Sequence, residues 1–344
     1  MSDLTHLGAR RGSLRQNVPM HEHVSWRAGG NARQAYVPAD SDDLCAFLAT
    51  LPAAEEIVFI GLGSNTLVRD GGFDGTVILV QGALDAMHLQ GGEEQTRIYA
   101  EVGVASPKLA RFATNAGLAG AEWLAGVPGT VGGALAMNAG CYGAETWESV
   151  VRAHLIGRDG VRRVRERDQF DIGYRHCVLR DAGRALGRDE WFVAAEFQFV
   201  RNPDAQAVAQ TRANMKAWLE RRAATQPLNL PNAGSVFRNP PGDYAARLIE
   251  ACGLKGKCIG GAQVSAKHAN FIVNPEQTAT AADIEQLIAD VAATVERECG
   301  VHLEREVRII GGASAHARAA GGSGGRDAGG PDDEIGRASW RERV

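Results

Sequence analysis

An α+β fold in two unequal parts is what this sequence predicts, on three observations. Short β-branched runs alternate with helical stretches through roughly the first two hundred residues. Two separate glycine-rich loops interrupt that part. After a long arginine-rich helix the texture changes to a compact alternation of strands and helices. A length of 344 residues fits about two domains. The 44% of hydrophobic residues supply enough apolar surface for sizeable cores.

Each element follows in order. The opening through Asn17 is polar and is expected to fray. Residues 57–60, 77–80 and 97–102 read as strands, each bounded by Gly, Asp or Asn. Residues 107–116 carry a helical apolar spacing, with Ser106 as N-cap and Pro107 at N1. Residues 150–156 and 192–200 are again strand-like, and the latter alternates Phe192, Ala194, Glu196 and Gln198 against Val193, Ala195, Phe197 and Phe199. Residues 204–224 form a long polar-faced helix that reads as a connector. Beyond it, 235–238, 242–251, 263–274 and 281–298 predict a strand–helix–strand–helix unit closed by a strand at 304–310, with the boundary near 215–225. Residues 312–344 are Gly- and Ala-rich and are expected to be disordered. Their last eleven, EIGRASWRERV, closely resemble a translated sequencing adapter, with Trp340 where that translation has Cys, and carry no weight in the fold.

A net charge of −4 gives no basic footprint, so no nucleic-acid partner is expected. No apolar run approaches the ~20 residues of a membrane span, and the N-terminus lacks an apolar signal core, so a cytoplasmic protein is expected. The six cysteines form no C-x-x-C pair and read as reduced thiols. His21 and His23 are too few for a metal, and none is predicted.

Chemistry concentrates in a few segments. Gly61-Leu62-Gly63-Ser64-Asn65-Thr66-Leu67-Val68-Arg69-Asp70 follows the 57–60 strand. Glycines allow positive φ and close backbone approach, so this is either a tight turn or a phosphate cradle. It lacks the third glycine of the dinucleotide fingerprint and the Gly-Lys-Ser/Thr of a Walker loop. The second cluster, Gly126-Val127-Pro128-Gly129-Thr130-Val131-Gly132-Gly133-Ala134 through Asn138-Ala139-Gly140, holds five glycines in fifteen residues. Packing of a short helix at 129–137 on a sheet explains one or two of them, not all. Two such loops in one domain fit a dinucleotide with a pyrophosphate.

GLGSNTLVRD and GVPGTVGGALAMNAG together resemble the flavin-binding domain of the vanillyl-alcohol-oxidase (PCMH) type, and within it the UDP-N-acetylenolpyruvoylglucosamine reductase family. The entry segment HVSWRAGGNA at 23–32 is similar to that family's as well. The resemblance implies an FAD-binding domain at 17–220, in two subdomains split near 70–100, after a frayed 1–16. A small α+β substrate-binding domain follows at 221–311. It implies FAD contacts from Gly61, Gly63, Ser64, Asn65, Leu67, Gly126, Gly129, Thr130, Gly132, Gly133 and Asn138.

Three further segments point to the reductase rather than to its oxidase relatives. Gly173-Tyr174-Arg175-His176-Cys177 is similar to G-Y-R-x-S, with Cys177 in place of the usual serine. Asn232-Ala233-Gly234-Ser235-Val236-Phe237-Arg238-Asn239-Pro240 resembles A-G-S-x-F-K-N-P, with Arg238 in place of lysine. Leu303-Glu304-Arg305-Glu306-Val307-Arg308-Ile309-Ile310 is similar to L-x-x-E-V-R-x-I-G, and alternation puts Glu304 and Glu306 on one face. By the resemblance Arg175, Ser235 and Glu306 are catalytic, and Tyr174, Arg238 and Asn239 meet the substrate. GLKGKCIGGAQVSAKHANFIVN at 253–274 matches the family's shorter form, without a tyrosine lid.

The implied reaction is NADPH-dependent reduction of UDP-N-acetylglucosamine enolpyruvate through FAD, for peptidoglycan synthesis, by a cytoplasmic monomer. The rivals are a sugar or hydroxy-acid oxidase on the same flavin fold and a non-catalytic nucleotide-binding module. Neither glycine loop offers the histidine on which such oxidases often carry their flavin.

Overall fold

The computed structural model describes residues 11–92, 96–181, 183–202 and 204–313, and the expected frayed residues 1–10 and the tail from 314 lie outside them. Three apolar clusters organise the described residues: one under a four-stranded sheet, a large one under a five-stranded sheet, and one in the C-terminal part.

The first sheet runs in the order Ser13–Pro19, Asn31–Val37, Phe73–Leu79, Ile57–Ile60. Its first pair is antiparallel and the others are parallel. Parallel neighbours need a crossover, and the helix Ser41–Ala49 supplies one, burying Leu44, Phe47 and Leu48. Phe47 stacks on Tyr36 at 3.8 Å. Buried Asp43 accepts bonds from the Tyr36 hydroxyl (2.6 Å), Ala39 N (2.9 Å) and Arg11 N (2.8 Å). That anchor corrects the expected fraying of residues 11–17. Ser13–Pro19 is an edge strand, and its polar side chains face water while its backbone is paired.

The second sheet is antiparallel throughout, in the order Arg162–Glu166, Val150–Gly157, Glu190–Gln198, Arg97–Glu101, Met87–Gln90. Its central strand is buried from Glu190 to Phe197, so the alternation in sequence does not produce a wet face. Glu196 stays buried because His154 (3.1 Å), Arg97 (3.3 Å) and Arg152 (3.8 Å) surround its carboxylate. The helix Ser106–Asn115 starts one residue earlier than its sequence signals: Ala105 is the N-cap, and Ser106 is the first helical residue with its buried hydroxyl unpaired.

The helix Ala205–Thr225, capped by Asp204, buries only Met215. The C-terminal part packs the helices Ala245–Ala251 and Ala281–Cys299 on a sheet of Cys258–Ile259, Ala262–Val264 and Ile272–Val273. Two expectations are corrected here. Residues 235–238 form no strand, only a single bridge from Phe237 to Arg305. The closing strand is Arg308–Ile310, and it pairs in parallel with Thr66–Val68 of the first part rather than with the C-terminal sheet.

That return is reinforced on every side. Arg308 N donates to Asn65 O (3.0 Å), Asn65 Nδ2 donates to Glu306 O (3.2 Å), and Arg69 N donates to Ile310 O (2.9 Å). Asp70 accepts from Ala281 N and Ala282 N, both at 2.9 Å, at the positive end of the long C-terminal helix. Arg69 forks onto Glu285. From the entry segment, Trp26 Nε1 donates to Ile272 O (2.8 Å), and Asn274 Nδ2 donates to Trp26 O (3.0 Å).

Candidate active site

These joints enclose a cavity of about 1340 Å³, lined by both glycine loops, the end of the long helix, Arg175, Ser235, Arg238, Glu304 and Glu306. Pockets for a single small ligand hold roughly 300–1,000 Å³, so this one is large enough for a dinucleotide.

The loops touch each other before they touch any ligand. Ser64 Oγ donates to Pro128 O (3.2 Å), and a Cβ on Gly61 would stand 2.3 Å from Thr130 Oγ1. Gly63 sits at φ +60° beside His23 O, and Gly129 at φ +114°. Gly132 packs on Val102, while a Cβ on Gly133, one residue on, would meet nothing within 4 Å. Gly133 therefore faces the open cavity. Gly61, Gly63, Ser64, Asn65, Gly126, Gly129, Thr130, Gly132 and Gly133 all line it.

Two expected cofactor residues do not. Leu67 is fully buried in the C-terminal core, because its strand pairs with Arg308–Ile310. Asn138 is buried at φ 41°, where its side chain donates to Gly173 O (2.9 Å) and Glu145 Oε2 (2.7 Å) and accepts from Trp147 N (3.1 Å). It is a bracket for the hairpin that carries Arg175.

That hairpin joins Phe170–Gly173 to His176–Leu179 through Tyr174 and Arg175, with Gly173 paired to His176. Arg175 holds φ 54°, a conformation costing a non-glycine residue about 1 kcal/mol. Its Nε donates to Glu306 Oε1 (3.0 Å), Nη2 to Gly140 O (3.2 Å) and Nη1 to Asn138 O (3.4 Å). Burial raises the Glu306 carboxyl above its ordinary value, opposed by the charge and hydrogen bond of Arg175 and then by Arg238. Tyr174 does not line the cavity; it is exposed, with the Arg175 guanidinium 4.9 Å above its ring. Cys177 is a core residue whose thiol burial pushes up to about 12, so it is inert at neutral pH.

Ser235 follows Gly234 at φ 73°. Its segment is pinned on both sides: Asn270 brackets Phe237 with Oδ1 and Nδ2, and Glu306 N donates to Val236 O (2.8 Å). The Ser235 hydroxyl has no hydrogen bond among the described residues and lines the cavity. Arg238 reaches Glu304 Oε2 and Arg175 O, each at 3.3 Å, and its Nε is buried without a partner. Asn239 does not line the cavity, because its Oδ1 accepts from Ala245 N (3.1 Å) at the start of the next helix.

Sequence reading missed Arg222, which lines the cavity. It donates to Gly126 O and to Gln226 Oε1, and burial lowers its pKa. The arginines of the connector helix were the signal: its last turn is a wall of the cavity. Tyr142, stacked on Trp218 at 4.7 Å, belongs to the same wall.

Residues 226–310 match the family model "UDP-N-acetylenolpyruvoylglucosamine reductase, C-terminal domain", and residues 32–164 match "FAD binding domain". A UDP-N-acetylenolpyruvoylglucosamine reductase of Thiobacillus denitrificans is 53% identical over 88% of this chain and 93% of its own length. This chain belongs to the UDP-N-acetylenolpyruvoylglucosamine reductase family. The relative of that name from Nitrosospira multiformis is 52% identical over 88% of this chain and 89% of its own. A solved reductase from Thermus caldophilus superposes with a TM-score of 0.70 at 29% identity, covering 87% of this chain and all of that one. The C-terminal match weighs against the oxidase alternative, because it is specific to the reductase family rather than to flavin folds at large. FAD fits what the cavity offers: an open face at Gly133, two loops in contact and an unpaired buried Trp191 Nε1 at the wall.

Proposed function

We propose that this chain reduces UDP-N-acetylglucosamine enolpyruvate to UDP-N-acetylmuramate, with NADPH as reductant and FAD held by the two glycine loops. One observation carries the catalytic assignment. Arg175 and Glu306, 131 residues apart, meet at 3.0 Å on the wall that also presents the unbonded Ser235 hydroxyl.

Bound FAD supplies hydride transfer from NADPH to the substrate. The protein's own residues manage charge and the proton. Addition of hydride to the terminal enolpyruvyl carbon leaves negative charge on its neighbour and the carboxylate. Arg175, fixed by three acceptors, stabilises that charge without having to reorganise. Ser235 delivers the proton to the charged carbon. A serine hydroxyl is a very weak acid, so it acts only on a strongly basic carbon held against it. Glu306, buried and tied to Arg175, holds the intermediate in its enol form. Arg238, with its unpaired Nε, is the first candidate for the substrate diphosphate. Tyr174 and Asn239 lie outside the cavity lining, beside Arg175 and Arg238 in sequence. Family membership supports a place in peptidoglycan synthesis, with consequences for cell shape and division, for a cytoplasmic monomer. No helix of the described residues is long and apolar enough to cross a membrane.

Anaerobic stopped-flow on the FAD-loaded protein tests the assignment. Bleaching of flavin absorbance by NADPH, then rapid return on adding the enolpyruvyl substrate, is the expected sequence. Ser235→Ala should leave the first phase nearly intact and slow the second by several orders of magnitude. Equal loss of both phases would remove Ser235 from the role of acid.

A further inference from the structure

Outside the cavity, two of the six free cysteines form a close pair. Cys252 is the C-cap residue of the helix Ala245–Ala251, and Cys299 is the last residue of Ala281–Cys299. Their Sγ atoms lie 3.5 Å apart, although 47 positions separate them in sequence. Cys299 is exposed and Cys252 partly so.

We propose that Cys252 and Cys299 form a redox site that closes reversibly to a disulfide on meeting a hydroperoxide. The sulfurs must approach from 3.5 Å to about 2.05 Å. Gly253 and Gly300 follow the two cysteines at φ +68° and +67°, and a Cβ on either would meet nothing within 4 Å. Cys299 is exposed, and Cys252 packs partly against the C-terminal core.

The chemistry closes without any further reagent. The exposed Cys299 thiolate attacks one peroxide oxygen, and the O–O bond breaks. This leaves a sulfenic acid on Cys299 and a hydroxide (an alkoxide from an organic hydroperoxide) that is protonated to water or the alcohol. The Cys252 thiol then attacks the sulfenic sulfur, and its proton leaves with the expelled hydroxide as water. The two sulfurs lose two electrons and the peroxide gains them. A small dithiol reverses the bond by exchange.

The site has a structural consequence. The helix Ala245–Ala251 is fastened at its start by Asn239, four residues after Ser235. The helix Ala281–Cys299 is fastened at its start by Asp70 of the first part. A disulfide joins the far ends of these two helices and constrains the C-terminal core, while neither thiol touches the cavity.

The test treats the full-length, FAD-loaded, reduced protein with hydrogen peroxide, alkylates the remaining thiols and maps the peptides. The expected result is loss of two alkylatable thiols and recovery of a linked Cys252–Cys299 peptide. The melting temperature should rise by roughly 5 °C and return with dithiothreitol. Cys252→Ser and Cys299→Ser should each lose the link and the shift, whereas Cys258→Ser should keep both. The proposal is overturned if both thiols stay alkylatable under peroxide that oxidises exposed Cys258. Recovery of the link between chains, or to Cys258, overturns it equally. The peptide map of the unaltered protein decides the matter even if a serine variant folds poorly.

Discussion

The two glycine-rich segments look alike in sequence and do different work. In the first, the space beside Gly61 and Gly63 is filled by protein, and the polar residues that follow bind the C-terminal part: Asn65 to the Glu306 segment, Arg69 to Glu285, Asp70 to the long C-terminal helix. In the second, protein also fills the space beside Gly126, Gly129, Gly132 and Gly140, but Gly133 looks into open space and the residues that follow make no such joint. The first is mainly a joint and the second mainly a wall. Glycine content alone does not separate them. The residues after the glycines do, since S-N-T-L-V-R-D offers polar and charged partners where A-L-A-M-N-A-G is nearly all apolar.

The largest expected effect tests the wall. Gly133→Val places a branched side chain in space that no protein atom uses. FAD affinity should fall by two to three orders of magnitude, about 3–4 kcal/mol, with the urea midpoint of the apoprotein no lower, because valine outranks glycine in a helix. Unchanged affinity in a flavin-fluorescence titration would mean that this face does not meet the cofactor.

The counterpart in the joint is Gly63→Ala. Its Cβ would stand 2.4 Å from His23 O and 2.6 Å from Val24 Cα at φ +60°, and backbone cannot give way cheaply. The apoprotein should lose roughly 2–3 kcal/mol in urea. A loss confined to FAD binding would make this glycine a cofactor residue first and a packing residue second.

The same contrast explains what was legible in the sequence. The strand Ile57–Ile60, the helix Ala205–Thr225 and the existence of both loops rest on local patterns, and local patterns are readable. So were Arg175, Ser235 and Glu306 as cavity residues, because motif resemblance carried them. The pairing of Arg308–Ile310 with Thr66–Val68 is not local: Asn65 and Glu306 are 241 positions apart, and an isolated strand does not name its partner. Leu67, Asn138 and Asn239 sit inside the right motifs yet serve packing, the hairpin bracket and a helix start. Motif membership fixes neighbourhood, and only contacts fix the part each residue plays.

A smaller effect is expected from Asp70→Ala, which removes the acceptor for two helix-terminal N–H groups. It should cost about 1–2 kcal/mol in urea. If the joint positions Glu306, flavin bleaching by NADPH should stay near wild type while the substrate-dependent phase slows. Equal slowing of both phases would deny the joint any special link to the substrate side.

The smallest effect is a matter of pH. Burial raises the folded-state pKa of Glu306 above its unfolded value, with Arg175 only partly compensating. A carboxyl raised in this way favours folding while protonated. Its contribution is whole below the unfolded value and is lost as pH rises through the folded one. Glu306→Gln mimics the protonated form, so it should melt slightly above the natural protein at pH 8 and coincide with it near pH 4. The Glu306 carboxylate is then a cost accepted for the site, in contrast to Asp70, whose charge serves the joint. A variant less stable at pH 8 than at pH 4, each against the natural protein, would show that the bond from Arg175 outweighs burial and that Glu306 belongs with the joint after all.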